Sequence, residues 1–490
     1  MNSVFLLIAV LFPIAGSVLI PLLPFQKKAH WQIYTEIITL ITSALALFVV
    51  VNRPDELVLF TVSDTVRIAL QVDGLGMVFA GLISILWPIA VLYSFEYMNH
   101  EERQRSFFMF YIMTFGITLG IAFSANILTM YFFYEMLTLV TVPLVIHTFT
   151  RDAVLATRKY IYYSLGGAAL GFMAVVFLIR YCGGSDFVPG GFLTAGALEN
   201  GLDFTLTIYV LAFMGFSIKA AMFPFHGWLP DAGVAPTPVT ALLHAVAVVK
   251  AGAFAVIRLT YYCFGTELLR GTWAQNLVMG LAMFTIVFGC SMAVKETHLK
   301  RRLAYSTVSN LSYICFGVTI MTPAGLLGAL CHMCFHAIMK ISAFFCAGAI
   351  MHQTDKDYVH ETNGFAKKMP WVYLAFTVSA LGMMGVPGGC GFISKWYLAQ
   401  AAFLSGNHLA WLGVGALLVS ALLTAIYMMT MIIRGYYTEK DFDESTLENV
   451  KDPSWKMILP LMLFSIGIVA FGLYSAPLVE FLTKVAEGLI

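Results

Sequence analysis

Long apolar stretches separated by short polar segments follow one another along almost the whole chain. Fourteen of them are long enough to cross a bilayer, because a transmembrane helix needs about 20 apolar residues. This pattern predicts an all-α polytopic membrane protein with about 14 transmembrane helices in a single domain, 1–490. The stretches lie near residues 3–23, 32–51, 74–95, 107–123, 125–147, 160–181, 204–224, 239–263, 273–294, 303–321, 325–350, 371–393, 409–433 and 456–477.

Composition agrees with the hydropathy pattern. The 490 residues are 60% hydrophobic and 11% charged, whereas soluble domains carry about 25% charged residues. The net charge of +1 and the lack of a basic tail give no sign of nucleic-acid binding. Lys27 and Lys28 follow the first apolar stretch instead of preceding it, so we expect this stretch to remain as a helix and not to be a cleaved signal peptide.

Basic residues are concentrated in alternate connections between the apolar stretches. One set of connections holds 18 of them, and the loops of the other set hold only Arg53, Arg67, Arg270 and Lys484. The positive-inside rule therefore predicts that both termini face outward, and we expect a multi-pass protein of a prokaryotic inner or plasma membrane. The 18 residues are Lys27, Lys28, Arg103, Arg105, Arg151, Arg158, Lys159, Lys295, Lys300, Arg301, Arg302, Lys356, Lys367, Lys368, Arg434, Lys440, Lys451 and Lys456.

Prolines interrupt two of the apolar stretches. Pro224 and Pro230 fall between Phe213 and Arg258, and Pro387 falls within the segment LGMMGVPGGCGFISKWYL. Because proline removes a backbone donor and clashes with the preceding turn, we expect two broken helices. Paired broken helices are typical of inverted-repeat transporters with a mid-membrane path. We therefore predict two inverted five-helix repeats, at roughly 107–263 and 273–434.

Ionisable side chains lie within these apolar stretches, where they usually mark function. A lone carboxylate such as Glu135 needs a nearby cation, and Lys219 is its candidate partner. His332, His336 and Lys340 follow at steps of four, so on a helix they drift by about 80° and climb about 12 Å along one stripe. The predicted proton relay comprises Glu135, Lys219, His244, Lys250, His332, His336, Lys340 and Lys395.

Other interpretations of these residues remain open. Glu135 and Lys219 are also compatible with a structural salt bridge, and Lys250 with a side chain that snorkels to the interface. The histidines are also compatible with buried core residues or with haem ligation, for which His244 is the partner on another helix. Cys331 and Cys334 have a CxxC spacing but lie in an apolar run, which favours small core residues over a metal site.

The sequence contains no nucleotide-binding loop, no convincing metal-ligand spacing and no hydrolytic constellation. We therefore expect no catalytic site within the chain and no bound cofactor. The segment between Tyr436 and Trp455 holds six acidic residues, and it is predicted to be a solvated loop, with partner docking as the alternative.

The stretch KAAMFPFHGWLPDAGVAPTPVTALLHAVAVVKAGAFAVIR closely resembles the signature of the antiporter-like subunits of respiratory complex I, of Mrp-type Na⁺/H⁺ antiporters and of membrane-bound hydrogenases. NILTMYFFYEMLTLVTVPLV, KRRLAYSTVSNLSYICFG, LCHMCFHAIMKISAFFCAGAI, HETNGFAKKMP and GFISKW match the same family in order over roughly residues 75–430. The resemblance implies a fourteen-helix fold.

The resemblance also implies roles for individual residues. Glu135 matches the acidic residue on helix five of the family, Lys219 the lysine on broken helix seven and Lys250 the lysine on helix eight. His244 matches a histidine that some members carry, and His332, His336 and Lys340 match the connecting stripe on helix eleven. Lys395 matches the terminal group on broken helix twelve, where other members carry glutamate. Gly388 and Gly389 depart from the bulkier residues or proline of many relatives.

The expected function is proton translocation by an antiporter-like subunit of a multisubunit membrane complex. The energy source stays open between redox partners, of complex I or hydrogenase type, and Na⁺/H⁺ exchange of Mrp type. Homologous and small hydrophobic membrane subunits are the expected partners. H⁺ is the expected transported ion, with Na⁺ as a second candidate. The alternatives are a self-contained secondary transporter and a haem- or quinone-binding electron carrier.

Overall fold

Long helices dominate the computed structural model, which describes residues 3–63, 66–182, 184–193, 201–438, 447–448 and 450–488. Within these residues, 12 helices are long and apolar enough to span a membrane. They are α1 (Val4–Leu22), α2 (Lys28–Asn52), α3 (Gly74–Tyr97), α4 (Gln104–Ala122), α5 (Ile127–Val145), α6 (Arg151–Cys182), α8 (Thr237–Phe264), α9 (Trp273–Lys295), α10 (Leu299–Ile320), α11 (Pro323–Thr354), α14 (His408–Tyr436) and α15 (Trp455–Leu473).

Two further membrane crossings are interrupted. The first consists of α7 (Leu202–Ser217), an irregular segment and a one-turn helix, Trp228–Asp231. The second consists of α12 (Pro370–Met384) and α13 (Cys390–Leu404), separated by five residues. With the 12 continuous spans, these two bring the described part of the chain to the predicted 14 crossings. The predicted all-α polytopic fold with two broken helices is confirmed.

Two small elements and one helix start were not anticipated. An antiparallel hairpin, β1 (Leu57–Ser63) and β2 (Val66–Leu70), occupies the connection between α2 and α3. A short helix, α16 (Ala476–Glu487), follows the last span and buries Leu482, Val485 and Ala486. In addition, α6 begins at Arg151, nine residues before the predicted apolar stretch.

Connections rich in basic residues meet at one end of the helix bundle. Lys28 donates to Asn99 across 2.6 Å, and Arg105 donates to the carbonyl oxygen of Phe25 across 2.8 Å. Lys159 and Arg301 both contact Asp231, which links three more segments at this end. The hairpin and the loop that contains Asp186 lie at the opposite end, where Arg67 pairs with Asp186. The alternation predicted from the loops therefore corresponds to two distinct ends of the bundle. Four of the six acidic residues of the segment before Trp455 lie outside the described residues.

The interior of the bundle is formed by α8, α10 and α11. In their most apolar 18-residue segments, 100% of the residues of α8 and α11 and 94% of those of α10 are buried. In the corresponding segments of α1 and α15, only 33% of the residues are buried. The three central helices also carry most of the ionisable groups of the interior. This arrangement follows from the cost of a charged side chain in hydrocarbon, which is about 3 kcal/mol by insertion scales.

The first break is supported by side chains from neighbouring elements. After α7, the carbonyl oxygen of Ile218 accepts a hydrogen bond of 2.8 Å from the indole N–H of Trp228. The backbone N–H of Phe223 donates to Thr285 on α9 across 3.2 Å. Pro224 lies in the irregular segment and Pro230 in the one-turn helix. The freed backbone groups are thus satisfied within protein, as irregular backbone at membrane depth requires.

The second break is built by glycine and by a lysine. Gly388 adopts φ = +96°, a conformation that side-chain-bearing residues rarely take, so glycine suits this position beside Pro387. The last carbonyl groups of α12, those of Met383 and Met384, accept hydrogen bonds of 2.7 and 3.0 Å from the ammonium group of Lys395. A cation at this position also interacts favourably with the negative end of the helix dipole.

A glycine on α8 allows the first break to approach the central helix. A Cβ atom on Gly252 would lie 2.5 Å from the backbone nitrogen of Ala220 and 2.9 Å from the carbonyl carbon of Lys219. Both neighbours are backbone atoms, so they cannot rotate away. Gly252 therefore fixes the distance between the backbone of Lys219 and the helix that carries Lys250.

Because of this contact, we expect Gly252→Ala to lower the stability of the purified protein by about 1–3 kcal/mol, the usual cost of overpacking. The measurement is the thermal unfolding midpoint in detergent, followed by tryptophan fluorescence. Gly280→Ala on α9 is the matched control, because a Cβ at Gly280 meets no atom within 4 Å. An equal midpoint for the two variants would contradict this account of the helix contact.

Candidate functional site

Lys219 lies directly after α7 and is buried. Its ammonium group donates a hydrogen bond to the backbone carbonyl of Tyr134 on α5 and lies 3.4 Å from the centre of the Tyr134 ring. The carbonyl and the electron-rich ring face both favour a cation. The neighbouring Glu135 is half-buried, and its Oε1 atom has no hydrogen-bond partner. In this conformation Lys219 therefore binds the backbone beside Glu135 and not the carboxylate itself.

Glu135 also lines a largely apolar surface groove, together with Arg67. The groove has a volume of about 470 Å³ and lies between the hairpin, α5 and α6. Phe132 and Leu139, on the same face of α5, are 49% and 64% exposed. The carboxylate can therefore be reached both from Lys219 inside the bundle and from whatever covers this face of the helix.

A direct contact joins the two central helices α8 and α11. Nζ of Lys250 lies 2.6 Å from Nδ1 of His336, and both residues are fully buried. The ring of His332 follows at 5.7 Å from that of His336, one turn along α11. Nδ1 of His332 in turn lies 3.0 Å from Oγ of Ser394 on α13. These four side chains form a polar line from α8 to the second broken helix, in which the two histidine rings stack on each other without a hydrogen bond between them.

Lys340, the third member of the α11 stripe, faces α10. Its ammonium group donates to Oγ of Ser306 across 2.7 Å, and this oxygen lies 2.6 Å from the hydroxyl of Tyr427 on α14. Lys340 is fully buried. The hydroxyl pair supplies the polar surroundings that a buried ammonium group needs.

Lys395 lies beyond the stripe, beside the second break. Apart from the two carbonyl groups at the end of α12, it lies 5.6 Å from the centre of the Tyr313 ring. The other neighbour of that ring is His332, which stacks on it at 4.9 Å and 15°. Tyr313 therefore separates the end of the histidine pair from Lys395.

His244 is less closely connected. It lies in a π-helical segment of α8, is fully buried, and both of its ring nitrogens lack a hydrogen-bond partner. Its ring packs 5.0 Å from that of Phe344, which also lies 5.7 Å from Nζ of Lys340. The Phe344 ring thus lies between His244 and Lys340. Nε2 of His332 and Nε2 of His336 are likewise buried without partners.

Several residues of this site did not stand out in the sequence. Ser306 and Tyr313 lie seven residues apart on α10, which places both on the face that meets α11 and α13. This spacing of polar residues within an apolar helix was the available signal. Ser394, which precedes Lys395, carried no separate signal. The partner role of Tyr134 depends on its backbone carbonyl, which no sequence pattern reveals.

A buried ion pair at the hairpin end of the bundle was also not foreseen. Arg258 on α8 is buried and binds both carboxylate oxygens of Asp73, which precedes α3. Burial acts to raise the pKa of Asp73, but the Arg258 charge and its hydrogen bonds outweigh this effect, so that the pKa lies below its ordinary value. The two residues are 185 positions apart, and the sequence indicated for Arg258 only a place near a helix end.

Taken together, the fold and these contacts define a polytopic membrane protein with an internal line of ionisable side chains. The chain belongs to the NADH:quinone oxidoreductase/Mrp antiporter transmembrane family, whose model matches residues 124–434. Residues 60–108 match a second model, described as the N-terminus of chain 5 of NADH-ubiquinone oxidoreductase (complex I). The family resemblance inferred from the sequence motifs is confirmed.

Relatives come from two kinds of complex. NADH-quinone oxidoreductase subunit N of Desulforudis audaxviator is 30% identical, over 84% of this chain and 83% of the relative. The matching Na⁺/H⁺ antiporter subunit of Alkalihalophilus pseudofirmus is 31% identical over 82% of this chain, but the match spans only 52% of that longer protein.

Solved structures show the same fold. A chain of the archaeal membrane-bound sulfane sulfur reductase superimposes with a TM-score of 0.86 at 22% identity, covering 99% of this chain and 98% of the other. A chain of the Mrp complex from Dietzia superimposes with a TM-score of 0.84 at 23% identity, covering 98% and 52%.

The Lys340 contact provides a test of the geometry. Ser306→Ala removes the oxygen nearest to the buried ammonium group, so we expect a loss of about 1–3 kcal/mol of stability. The measurement is thermal unfolding in detergent. Ser312→Ala is the control on the same helix, because the Ser312 hydroxyl donates only to the backbone of its own helix, at Val308. Equal losses in the two variants would argue against the contact.

Proposed function

We propose that the chain is a proton-translocating, antiporter-like subunit of a multisubunit membrane complex. The observation that carries this proposal is the polar connection Lys250–His336–His332–Ser394, which crosses from α8 through α11 to α13 within the closed interior of the bundle. Lysine and histidine exchange protons readily when their surroundings change. The names of the relatives, one from NADH-quinone oxidoreductase and one from a Na⁺/H⁺ antiporter, support the same function.

The proposed cycle begins at Glu135 and Lys219. A carboxylate close to Lys219 favours its charged form, and withdrawal of that carboxylate favours release of the proton. Two features support this role: the carboxylate oxygen without a partner, and the position of Glu135 in a groove that a neighbouring protein can reach. The ammonium group of Lys219 then alternates between the Glu135 carboxylate and the Tyr134 carbonyl.

A proton released by Lys219 passes along the central line, by which we mean Lys250, His336, His332 and Lys395. The charges of His244 and Lys340 influence how readily the residues of this line take up or release the proton. Repulsion between like charges at Lys395 then releases a proton to the outside. Since Lys219 and Lys250 lie on different elements, the proposed transfer between them requires water.

The arrangement of the chain in the membrane is part of the proposal. We assign the end with the basic loops to the cytoplasm of a prokaryotic cell, which leaves both termini outside. We also assign 107–263 and 273–434 to two inverted five-helix repeats. Each range contains one broken helix and one relay lysine beside the break, and the two lysines lie on opposite sides of their breaks.

The relatives support proposals for the partner subunits and for the driving reaction. We propose homologous antiporter-like and small hydrophobic membrane subunits as neighbours. Redox subunits of complex I or hydrogenase type are the candidates for the driver in one case, and Na⁺/H⁺ exchange of Mrp type in the other. The chain matches subunits of both kinds, so purification of the assembled complex is needed to distinguish the two drivers.

Conservative substitution at Lys219 tests the relay. Lys219→Arg retains the positive charge, but a guanidinium group does not release its proton near neutral pH. We therefore expect this variant, like Glu135→Gln, to lose most proton translocation by the assembled complex in sealed vesicles. The measurement is the rate of acidification under the driving condition.

The alternative is a structural ion pair, for which arginine would serve as well as lysine. Full translocation by Lys219→Arg would thus refute a proton-carrying role for Lys219. Glu480→Gln is the control, since Glu480 is 71% exposed on α16, away from the central line. This control variant is expected to translocate at the parent rate.

Purification of the assembled complex tests the driver. We expect the tagged chain to copurify from gently solubilised native membranes with further membrane subunits. Iron–sulfur absorbance with flavin- or nickel-containing subunits would identify a redox-driven complex. Small hydrophobic subunits without a visible chromophore would identify a Na⁺/H⁺ antiporter.

Two other outcomes would overturn the proposal of a subunit in a translocating complex. A chain that purifies alone and transports ions by itself after reconstitution would be a self-contained secondary transporter. A haem band bound to the chain itself would indicate an electron carrier.

A further inference from the structure

A stripe of side chains leads from the central line to the hairpin end of the bundle. Lys250, Phe254 and Arg258 follow one another on α8 at steps of four residues, and Tyr262 continues the series into the final π-helical segment. Each step of four raises the helix by about 6 Å and turns it by only about 40° beyond a full turn, so successive members of the stripe lie close together. The stripe thus begins at the Lys250–His336 contact and ends close to the bundle surface.

Two cavities open at the end of this stripe. One, of about 390 Å³, is lined by Asp73 and Tyr262 and reaches the surface at Lys484, which is 70% exposed. The other, of about 220 Å³, also borders Asp73 and Tyr262 and ends at Arg258. Polar atoms line both cavities, so they are suited to water. Water from the hairpin side can therefore approach the Arg258 guanidinium group, two helical turns from Lys250.

An aromatic layer surrounds the Arg258 guanidinium group at the inner end of the cavities. The Arg258 guanidinium carbon lies 4.9 Å from the ring centre of Phe254, 4.5 Å from that of Phe187 and 4.3 Å from that of Tyr262. Phe254 is fully buried and packs 5.1 Å from Phe79 on α3. The Phe254 ring is thus the one side chain of the stripe between the relay lysine and the charged end of the cavity.

The ion pair holds this layer in place. Both guanidinium nitrogens Nη1 and Nη2 bind the Asp73 carboxylate, which anchors α8 to the start of α3. The Nε atom of Arg258 remains buried without a partner, so the guanidinium group offers one further donor to a water molecule. Separation of the pair would leave a buried charge uncompensated, which costs several kcal/mol and therefore keeps the layer closed at rest.

We propose that Phe254, Arg258 and Asp73 form an outward gate, through which protons leave the first half of the central line at Lys250. When the Phe254 layer is hydrated, Lys250 transfers one proton from its ammonium group to a cavity water. Lys250 becomes neutral, hydronium leaves through the cavity, and Lys250 regains a proton from the line. This outlet is additional to the release at Lys395, and it rests on the proposed function in that Lys250 carries protons and the hairpin end faces outside.

Thiol labelling from the outside tests the gate without any need for turnover. Right-side-out membrane vesicles that contain the assembled complex are treated with a small, charged, membrane-impermeant methanethiosulfonate reagent. Ala125→Cys places a thiol in the 220 Å³ cavity, and we expect it to be labelled. Lys250→Cys places a thiol behind Phe254, and we expect labelling only after the additional substitution Phe254→Ala, at least about tenfold faster than with Phe254 in place.

Three results would overturn the proposal. An unlabelled Ala125→Cys chain would mean that the cavity is closed to the outside. Equal labelling of Lys250→Cys with and without Phe254 would mean that the ring is not a barrier. No labelling of the double variant would mean that the cavity does not lead to Lys250. The labelling of the unsubstituted chain is the background, and Cys263, near the gate, is fully buried.

A leak measurement separates this inference from the relay itself. Vesicles that contain the Phe254→Ala variant are expected to lose an imposed pH gradient several-fold faster than vesicles with the parent chain, because the substitution removes the ring that closes the path. Phe115→Ala is the matched control, because it removes a ring of the same size that is also fully buried but stacks on Trp87. An equal leak in the two variants would count against the gate. If the Lys219→Arg variant retained translocation while the Phe254→Ala variant leaked, the proposed proton-carrying role of Lys219 would be refuted and the outward gate would still be supported.

Discussion

Ionisable side chains cannot be left in contact with hydrocarbon, and this constraint explains how the bundle is arranged. The chain places its lysine- and histidine-bearing helices, α8 and α11, where other helices enclose them completely. The outermost spans, α1 and α15 among them, form a shell that faces outward with apolar residues. Since each uncompensated charge would cost about 3 kcal/mol, an arrangement that moved α8 or α11 into the shell would be less stable.

The same constraint acts on the backbone. Both broken helices expose carbonyl and amide groups at membrane depth, and both are satisfied by side chains brought from elsewhere. Trp228 and Thr285 serve the first break, and Lys395 serves the second. At the second break the group that satisfies the backbone is Lys395, one of the proposed relay residues. A change of charge at Lys395 would alter the end of α12 as well, which in the proposed cycle couples proton movement to helix geometry.

Much of the architecture could be predicted from the sequence, because membrane spans have a strong local signal. The number of crossings, the two breaks and the buried lysines and histidines all followed from hydropathy and from proline. Helix ends were less predictable: α6 begins at Arg151 because a helix continues into the interface, where basic side chains reach water. The hairpin is too short for a pattern of its own. The Asp73–Arg258 pair depends on tertiary packing across 185 residues.

The side chains and backbone groups that contact the proposed relay residues could not be predicted from hydropathy and proline positions. His332, His336 and Lys340 form one stripe in sequence, yet the drift of about 80° over two steps turns them towards three different helices. His332 meets α13, His336 meets α8, and Lys340 meets α10. The predicted pairing of Lys219 with Glu135 depends on side-chain conformation, and here the lysine binds the neighbouring backbone carbonyl instead. Residue type fixes what each group can do, whereas helix packing decides which neighbour it meets.

The divergence of these three side chains has a consequence for the proposed relay. Nζ of Lys250 and Nδ1 of His336 lie 2.6 Å apart, so only one of the two side chains carries a positive charge at a time. Two charged side chains would place like charges side by side in a medium of low dielectric constant. The two groups therefore exchange a proton as a unit. Lys340, one turn further along α11, is held by Ser306 and is not part of this exchange, but its charge acts on the pair through the same helix. A line built in this way favours sequential transfer of single protons, since each new charge must wait until the neighbouring one has moved.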